Sequence, residues 1–364
     1  MNVLYISNLT GNLFAGPNNS VPAQIKAQSE IDHVFWYNLN SVRRDEWSKN
    51  GLDCKNLRDY PTGRLKDLPF PFCKPDLAIV EEFYCYPFCK LIHDIQSNGI
   101  PYIIIPRSEF TKQAQQKKLL KKKIGNLFYF RHMAHKAAAI QYLSQQEYIE
   151  SGEKWNQRSL IIPNGTVAKA EVKKTFTKDA IQAVYIGRYE QYQKGLDILM
   201  NALAMVQSLL RENGFRLNMY GVNQEGALDA MTQQIAQYGI DDLVRLHDAV
   251  YGNEKERVLL QSDVFVMTSR FEGMPMGMIE ALSYGLPCVA TVGTNLSGEI
   301  AKHDAGWTAE NTVESVSDAL RTMVKEYCDV KRKSHNALNL AAEYSWDEIA
   351  KRSHEEYLKM VEEG

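Results

Sequence analysis

The sequence predicts an α/β chain of two doubly wound domains, each a parallel sheet flanked by helices. Three observations lead there. Short apolar runs alternate with amphipathic helical stretches, and that alternation restarts once along the chain. The length of 364 residues exceeds one ordinary domain and suits two of moderate size.

The first run, 3–7, reads as a buried strand beginning almost at the N-terminus, with a helical pattern over 20–29 after it. Residues 76–80 and 102–106 read as further strands, with a helix over 88–98 between them. Residues 139–143 and 160–162 complete the first set. Such short apolar runs, with little polar alternation, suit strands covered on both faces. The polar, lysine-rich stretch 167–178 reads as a linker. A second set follows: a strand at 181–186, a helix over about 195–213, and strands at 216–220, 244–246, 264–267 and 287–290. A last helix over 345–363 is capped by Ser345 or Asp347. The expected division is 1–168, 169–344 and a C-terminal helix within 345–364.

Composition narrows the chemistry. Apolar residues make up 45%, enough for two cores, and a formal charge of −2 gives no global attraction to nucleic acid. The cysteines at 54, 73, 85, 89, 288 and 328 do not pair at structural-zinc spacing and read as reduced thiols of a cytosolic protein. The N-terminus lacks the basic and apolar regions of a signal peptide, and no window nears the ~20 apolar residues of a membrane span.

Ligands of doubly wound sheets bind outside the carboxyl ends of the strands, so the loops after the strands are the places to look. The two domains are expected to face a cleft there. The loop at 8–17 holds Gly11 and Gly16 ahead of a helix, a turn that lets backbone N–H groups approach an anion or simply links strand to helix. The loop after Ile186 sets Arg188 at a strand end and Lys194 just before a helix, and the two cations suit a diphosphate.

The loop and helix at 268–281 carry the most information. Pro275 suits a first helical turn and Gly285 a helix end. Glu272 falls in the loop and Glu280 on the helix among Met278, Ile279, Ala281 and Leu282. A charge in so apolar a helix needs a partner, and a carboxylate is a good acceptor for vicinal hydroxyls.

These residues resemble the family 4 retaining glycosyltransferases. The likeness rests on Gly187-Arg188 with Lys194-Gly195, on Glu272 and Glu280 eight positions apart with Gly273 and Pro275 between, on the Ala-Leu-Ser-Tyr-Gly-Leu-Pro run at 281–287, and on Ser345-Trp346-Asp347. It spans the whole chain, with its specific motifs in the C-terminal half. The resemblance implies the GT-B architecture, with an acceptor-binding N-terminal domain, a donor-binding C-terminal domain and a last helix that returns to the first.

It further implies that Arg188 and Lys194 bind the diphosphate of a nucleotide sugar, UDP- rather than GDP-linked. Glu280 would hold the ribose hydroxyls. Glu272 with the backbone of Gly273 and Met274 would lie near the sugar, and the base beside Tyr220, Gly221 and the stretch from His247 to Val250. Gly16 would contribute from the first domain. In this reading Glu272, Arg188 and Lys194 act in catalysis, no cofactor or metal is required, and the donor is a substrate. Transfer would occur on one face of the sugar, with the leaving phosphate taking the acceptor's proton.

Two departures stand out. Relatives often have paired glycines where Ala15-Gly16-Pro17 stands here, and often a His where Arg107 follows Pro106. Arg107 is open to two readings, contact with donor or anionic acceptor, or pairing with Glu109. His93, His132 and His135 lie in helical stretches and are not substitutes.

The stretch 112–136 holds Lys117, Lys118, Lys121, Lys122, Lys123 and Arg131 with Leu119, Leu120, Ile124, Leu127, Phe128 and Phe130 interleaved, and no acidic residue. It reads either as a solvated basic helix or as a peripheral contact with an anionic membrane from Lys117 to Lys123. The expected acceptor is a glycan or lipid-linked glycan of a surface polysaccharide or glycolipid. The expected location is cytoplasmic, peripheral on the inner face of the cell membrane. A non-catalytic nucleotide-sugar binding subunit, or another GT-B enzyme such as an epimerase, is the competing reading.

Overall fold

The computed structural model describes residues 1–12, 16–48, 52–116, 118–152, 155–176, 180–224 and 226–362. Residues 13–15 of the first loop, Lys117, 177–178 of the expected linker and Glu363 lie outside these. The chain forms two compact units, Met1–Gly165 with Trp346–Gly364, and Thr166–Ser345. Among the described residues, no helix is long and apolar enough to cross a membrane.

The first unit holds seven parallel strands: β1 (Asn2–Ser7), β2 (His33–Asn38), β3 (Cys54–Asn56), β4 (Leu77–Glu81), β5 (Tyr102–Ile105), β6 (Ala139–Tyr142) and β7 (Ser159–Ile161). Their spatial order is β3-β2-β1-β4-β5-β6-β7. The strand order reverses between β1 and β4, which pair from Val3 against Leu77 to Ile6 against Val80. Every one of these residues is buried, as the apolar runs require of a sheet covered on both faces.

The second unit holds six parallel strands: β8 (Gln182–Ile186), β9 (Arg216–Gly221), β10 (Val244–Asp248), β11 (Val264–Met267), β12 (Cys288–Thr291) and β13 (Gly306–Ala309). They run β10-β9-β8-β11-β12-β13, and this sheet reverses between β8 and β11. Its faces bury separate apolar clusters. One includes Leu199, Leu203, Leu217 and Leu320; the other includes Phe265, Met278, Ile279, Leu282 and Leu340.

The sequence reading places most strands within a residue or two but omits β2, β3 and β13. The expected helix over 195–213 is two, Leu196–Met205 and Gln207–Glu212, separated at Val206. The helix expected from residue 20 begins earlier, at Pro17, where proline suits the first turn.

The last helix, Trp346–Glu362, packs within the first unit. Tyr357 donates its hydroxyl to Gln141 Oε1 at 2.6 Å, and His354 Nδ1 lies 3.0 Å from the Asp32 carboxylate, which also holds the N-terminal ammonium at 2.8 Å. Gly165 is required where this helix begins, because a Cβ there would come within 2.5 Å of the Trp346 ring.

Arg107 follows β5 with a backbone φ of +46°, uncommon for a residue with a side chain. Of the two contacts expected of it from the sequence, the pairing with Glu109 is not the one it makes. Its almost fully buried guanidinium pairs with Glu81 Oε2 at 2.7 Å and also reaches Gln24, Ser20 and Asn164. Glu109, the partner the sequence suggests, instead accepts the N–H groups of Phe83 and Tyr84. Pairing a buried cation with a carboxylate at a sheet's carboxyl edge fixes both loops, and removing one partner would strand the other charge.

The basic stretch is not one helix. Helix Lys112–Gln116 is followed by Lys118 in the left-handed region at φ +56°. Helix Leu119–Gly125, a π-helical turn Asn126–Phe130 and helix Arg131–Lys136 come next. Lys122 turns inward, its ammonium 2.8 Å from the Ala114 carbonyl and 4.4 Å from the centre of the Tyr84 ring. Lys118, Lys121 and Lys123 face solvent beside Leu120, Ile124, Leu127 and Phe128, which are 61–77% exposed.

Candidate functional site

The reversal between β8 and β11 brings together most of the residues singled out from sequence. In an open parallel sheet the loops leaving the carboxyl ends of such neighbours diverge and leave a crevice. Arg188 leaves β8 there, and residues 268–275 leave β11. Tyr220 and Gly221 end β9, and Val250 lies just beyond β10. Gly16 belongs to the first unit, at the N-cap of helix Pro17–Ser29, where its carbonyl accepts the N–H groups of Asn19 and Ser20.

The loop after β8 is held by its own turn. The Glu190 carboxylate accepts the N–H groups of Tyr192 and Gln193, which starts the short helix Gln191–Lys194. Gly195 then adopts φ +60°, and a Cβ there would meet the Thr268 carbonyl oxygen at 2.0 Å. Glycine is therefore what allows Lys194 to sit against the end of β11. The Lys194 side chain is largely buried and its Nζ lies 2.6 Å from Glu272 Oε1.

Glu272 is held on three sides. Ser269 Oγ donates to the same Oε1 at 2.6 Å, Lys194 supplies the cation, and the Asn295 side-chain amide donates to the Glu272 carbonyl. Arg270 braces the loop from behind through a bidentate pair with Asp197, both bonds 2.7 Å, and a third bond to the Tyr192 carbonyl. That fork geometry is the strong form of an ion pair and raises the Arg270 pKa through its bonds to Asp197.

Gly273 and Met274 lead into helix Met276–Ser283, with Pro275 as its N-cap residue and the Pro275 carbonyl accepting from Met278 at 2.9 Å. Tyr284 closes that helix and Gly285 follows. Glu280 lies on the helix with partial exposure, its carboxylate paired with Lys255 and 3.6 Å from Lys169. The partner that a charge in an apolar helix demands is thus a pair of lysines from outside the motif. Arg188 is exposed, its guanidinium 2.8 Å from Gln224 Oε1 and 3.3 Å from Gln193 Oε1.

Beside this set Tyr220 stacks on His247, ring centres 4.6 Å apart at 14°. Burial, then the charge of Arg245, lowers the His247 pKa, which favours the neutral imidazole. The Tyr189 hydroxyl lies 2.5 Å from the Met219 carbonyl and 2.7 Å from that of His247, tying β9 and β10 to the Arg188 loop.

Sequence reasoning missed Lys255, Lys169, Ser269, Asn295 and the Arg270–Asp197 brace. Only Ser269 had a signal, its place three residues before Glu272. The lysines, Asn295 and Asp197 reach the site through tertiary packing and carry no local spacing.

In chemical terms the edge offers two cations, two carboxylates with rigid supports, a stacked aromatic pair and the first turn of a helix. Such a set fits an elongated ligand with an anionic middle and hydroxyl-bearing ends.

Residues 180–326, which hold this edge, match the family model described as glycosyl transferases group 1. A Salmonella typhimurium protein named as a colanic acid biosynthesis glycosyltransferase, WcaL, is 21% identical over 390 residues, covering 95% of this chain and 91% of that protein. The GDP-mannose:cellobiosyl-diphosphopolyprenol alpha-mannosyltransferase of Xanthomonas oryzae pv. oryzae is 26% identical over 209 residues, 55% of this chain and 52% of that protein. The crystal structure of Anabaena Alr3699/HepE in complex with UDP superposes with a TM-score of 0.73 at 13% identity, covering 99% of this chain and 100% of that one. At that identity the likeness establishes the fold, GT-B.

Proposed function

We propose that this chain, a member of the group 1 glycosyltransferases, moves a sugar from a nucleotide-diphosphate sugar to a glycan or lipid-linked acceptor with retention of configuration. The chain is a glycosyltransferase of the hexosyltransferase type. The finer reading rests on one observation above all: Arg188, Lys194, Glu272 and Glu280 share the carboxyl edge at the reversal of one sheet.

In this reading Arg188 and Lys194 bind the diphosphate. As the C1–O bond to the leaving phosphate breaks, negative charge grows on that oxygen, and two fixed cations stabilise it without a metal ion. The acceptor oxygen bonds to C1 on the face the phosphate leaves, and its proton passes to a phosphate oxygen. Glu272, with Gly273 and Met274, positions the sugar, and no bond forms to the enzyme. Glu280 accepts the ribose hydroxyls, with Lys255 and Lys169 orienting its carboxylate. The base lies near Tyr220, Gly221 and Val250.

We take UDP as the carrier nucleotide. The Anabaena neighbour holds UDP, while the Xanthomonas relative is named for a GDP-linked sugar. The names of the Salmonella and Xanthomonas relatives favour a role in surface polysaccharide synthesis on a lipid carrier. Solvent-facing Lys118, Lys121 and Lys123 next to exposed Leu120, Ile124, Leu127 and Phe128 suit peripheral contact with an anionic membrane.

Slow hydrolysis of the donor in the absence of acceptor tests the catalytic reading. Release of free sugar and nucleoside diphosphate, abolished in Arg188→Ala, supports it. Binding with no turnover under any acceptor would leave a binding subunit instead.

A further inference from the structure

We infer that the first unit holds a groove for the phosphate-bearing apolar chain of a lipid-linked acceptor, walled by Phe88 and Tyr129 and rimmed by Lys90. This deepens the transferase reading above and rests on it, because it selects a lipid-linked acceptor over a free glycan. The groove measures about 320 Å³, and Arg64, Cys89 and His93 complete its lining. That volume lies at the small end of the range for ligand pockets.

Phe88 carries the argument. Its ring is 76% exposed, and its backbone sits at φ +52°, a region that a bulky residue rarely adopts. Neither burial nor backbone preference accounts for a phenyl ring at this position. The ring rests against Tyr129, with centres 5.0 Å apart at 44°. Tyr129 belongs to the π-helical turn Asn126–Phe130, an irregularity frequent at functional sites. Within that turn Leu127 and Phe128 are exposed, Tyr129 is half-buried at the groove, and Phe130 is buried in the core. The groove wall is thus continuous along the chain with the exposed apolar patch. An apolar chain in the groove would cover Phe88 and lead onto that patch.

The rim supplies charge of one sign. Among the described residues that line the groove, none is acidic. Arg64 spends Nε and Nη2 on the Asp94 carboxylate, both bonds 2.7 Å, and its Nη1 has no hydrogen-bond partner among the described residues. Lys90 is exposed and has no ion pair among the described residues. Cations above aromatic walls fit a phosphate joined to an apolar chain, and offer little to a neutral glycan.

The position of the groove selects the acceptor over a bulk phospholipid. Residues 82–89 leave the end of β4 and run from the carboxyl edge of the sheet to the groove. The Tyr86 hydroxyl donates to the Glu81 carbonyl at 2.7 Å, and Asn8 Nδ2 donates to the Cys85 carbonyl at 3.4 Å. Those bonds tie the loop to the ends of β1 and β4, where the strand order reverses. Ligands of open parallel sheets bind at such a reversal. A lipid-linked acceptor with its chain in the groove can therefore lay its glycan along this loop towards the edge, whereas a phospholipid has no glycan to place there.

Calorimetric titration of the full-length chain with farnesyl diphosphate, kept below its micelle threshold, tests this. The expected result is one molecule per chain, bound at least tenfold more weakly in Phe88→Gly and in Lys90→Gln. Glycine accepts a φ of +52°, so Phe88→Gly should keep a wild-type Tm and separate lost binding from lost folding. Inorganic diphosphate should bind at least tenfold more weakly than the prenyl form, and Arg188→Ala should still bind farnesyl diphosphate. Equal affinity for dihexanoyl phosphatidylglycerol, binding that both groove variants retain, or binding lost in Arg188→Ala overturns the proposal. So does a wild type that hydrolyses the donor yet does not bind farnesyl diphosphate, a result that leaves the transferase reading standing. Failure of donor hydrolysis strikes that reading itself, and this inference with it.

Discussion

Lys194 Nζ sits 2.6 Å from Glu272 Oε1, both side chains about nine-tenths buried. The cation assigned to the donor diphosphate and the carboxylate assigned to the donor sugar neutralise each other in the free protein. In the proposed reading, donor binding exchanges the Glu272 carboxylate for a phosphate on Lys194, and the pair keeps the Lys194 charge from standing unpaired until the donor arrives.

This exchange makes a directional prediction. Glu272→Gln removes the competing carboxylate, so affinity for UDP without sugar should rise about tenfold, the scale of one charge-assisted hydrogen bond. Turnover of the UDP-sugar should fall in the same variant. Lys194→Ala should weaken both ligands and lower the rate about 10²–10³-fold. Calorimetry with UDP and initial rates of donor hydrolysis measure these. Weaker UDP binding by Glu272→Gln would contradict the exchange.

Glu82 predicts a pH effect on stability. It follows β4 with φ +67°, and burial, then the nearby Glu109 carboxylate, raise its pKa to about 7, while Arg107 opposes the shift. The unfolded chain loses this proton near pH 4.3, the folded chain only near 7. Between those values the folded state binds more proton, so stability falls as pH rises through the window and stays lower above it. Glu82→Gln should therefore raise Tm at pH 8, by an amount corresponding to about 3–4 kcal/mol at most, and change it little near pH 4. Melting curves of both proteins from pH 4 to 8 check this; a difference independent of pH would count against it.

The exposed patch around Leu127 predicts binding to anionic vesicles. Each cation close to such a surface adds on the order of 1 kcal/mol, so changing Lys118, Lys121 and Lys123 to Gln should abolish flotation. Flotation should also fall at high salt. Lys122→Gln alone should matter less, since Lys122 faces Tyr84. Absence of flotation at low salt would remove the membrane contact from the account.

What was legible in the sequence follows from what is local. The apolar runs of β1, β4 and β5 announce buried strands, and Pro275 and Gly285 bracket the helix that carries Glu280. β3, Cys-Lys-Asn, is too short and polar to be read, and β13, Gly-Trp-Thr-Ala, lacks an apolar run. β2 follows a helix almost at once and begins on an exposed histidine. The continuous helical pattern through Val206 hides the break there, where the backbone turns to φ −114° and ψ 14°. At the site, Glu280 was legible because a charge in an apolar helix is locally anomalous. Its lysines were not, because Lys169 and Lys255 lie 111 and 25 residues before it and meet it only through the fold.

Thermal shift with a panel of UDP-, GDP- and ADP-sugars tests the central claim most directly, applied to the wild type, Arg188→Ala and Glu280→Ala. The account predicts that UDP-sugars raise Tm, by the amount that one-site binding dictates, and that both substitutions remove the shift while leaving the ligand-free Tm close to wild type. No stabilisation by any nucleotide sugar, or a shift that survives both substitutions, would contradict it.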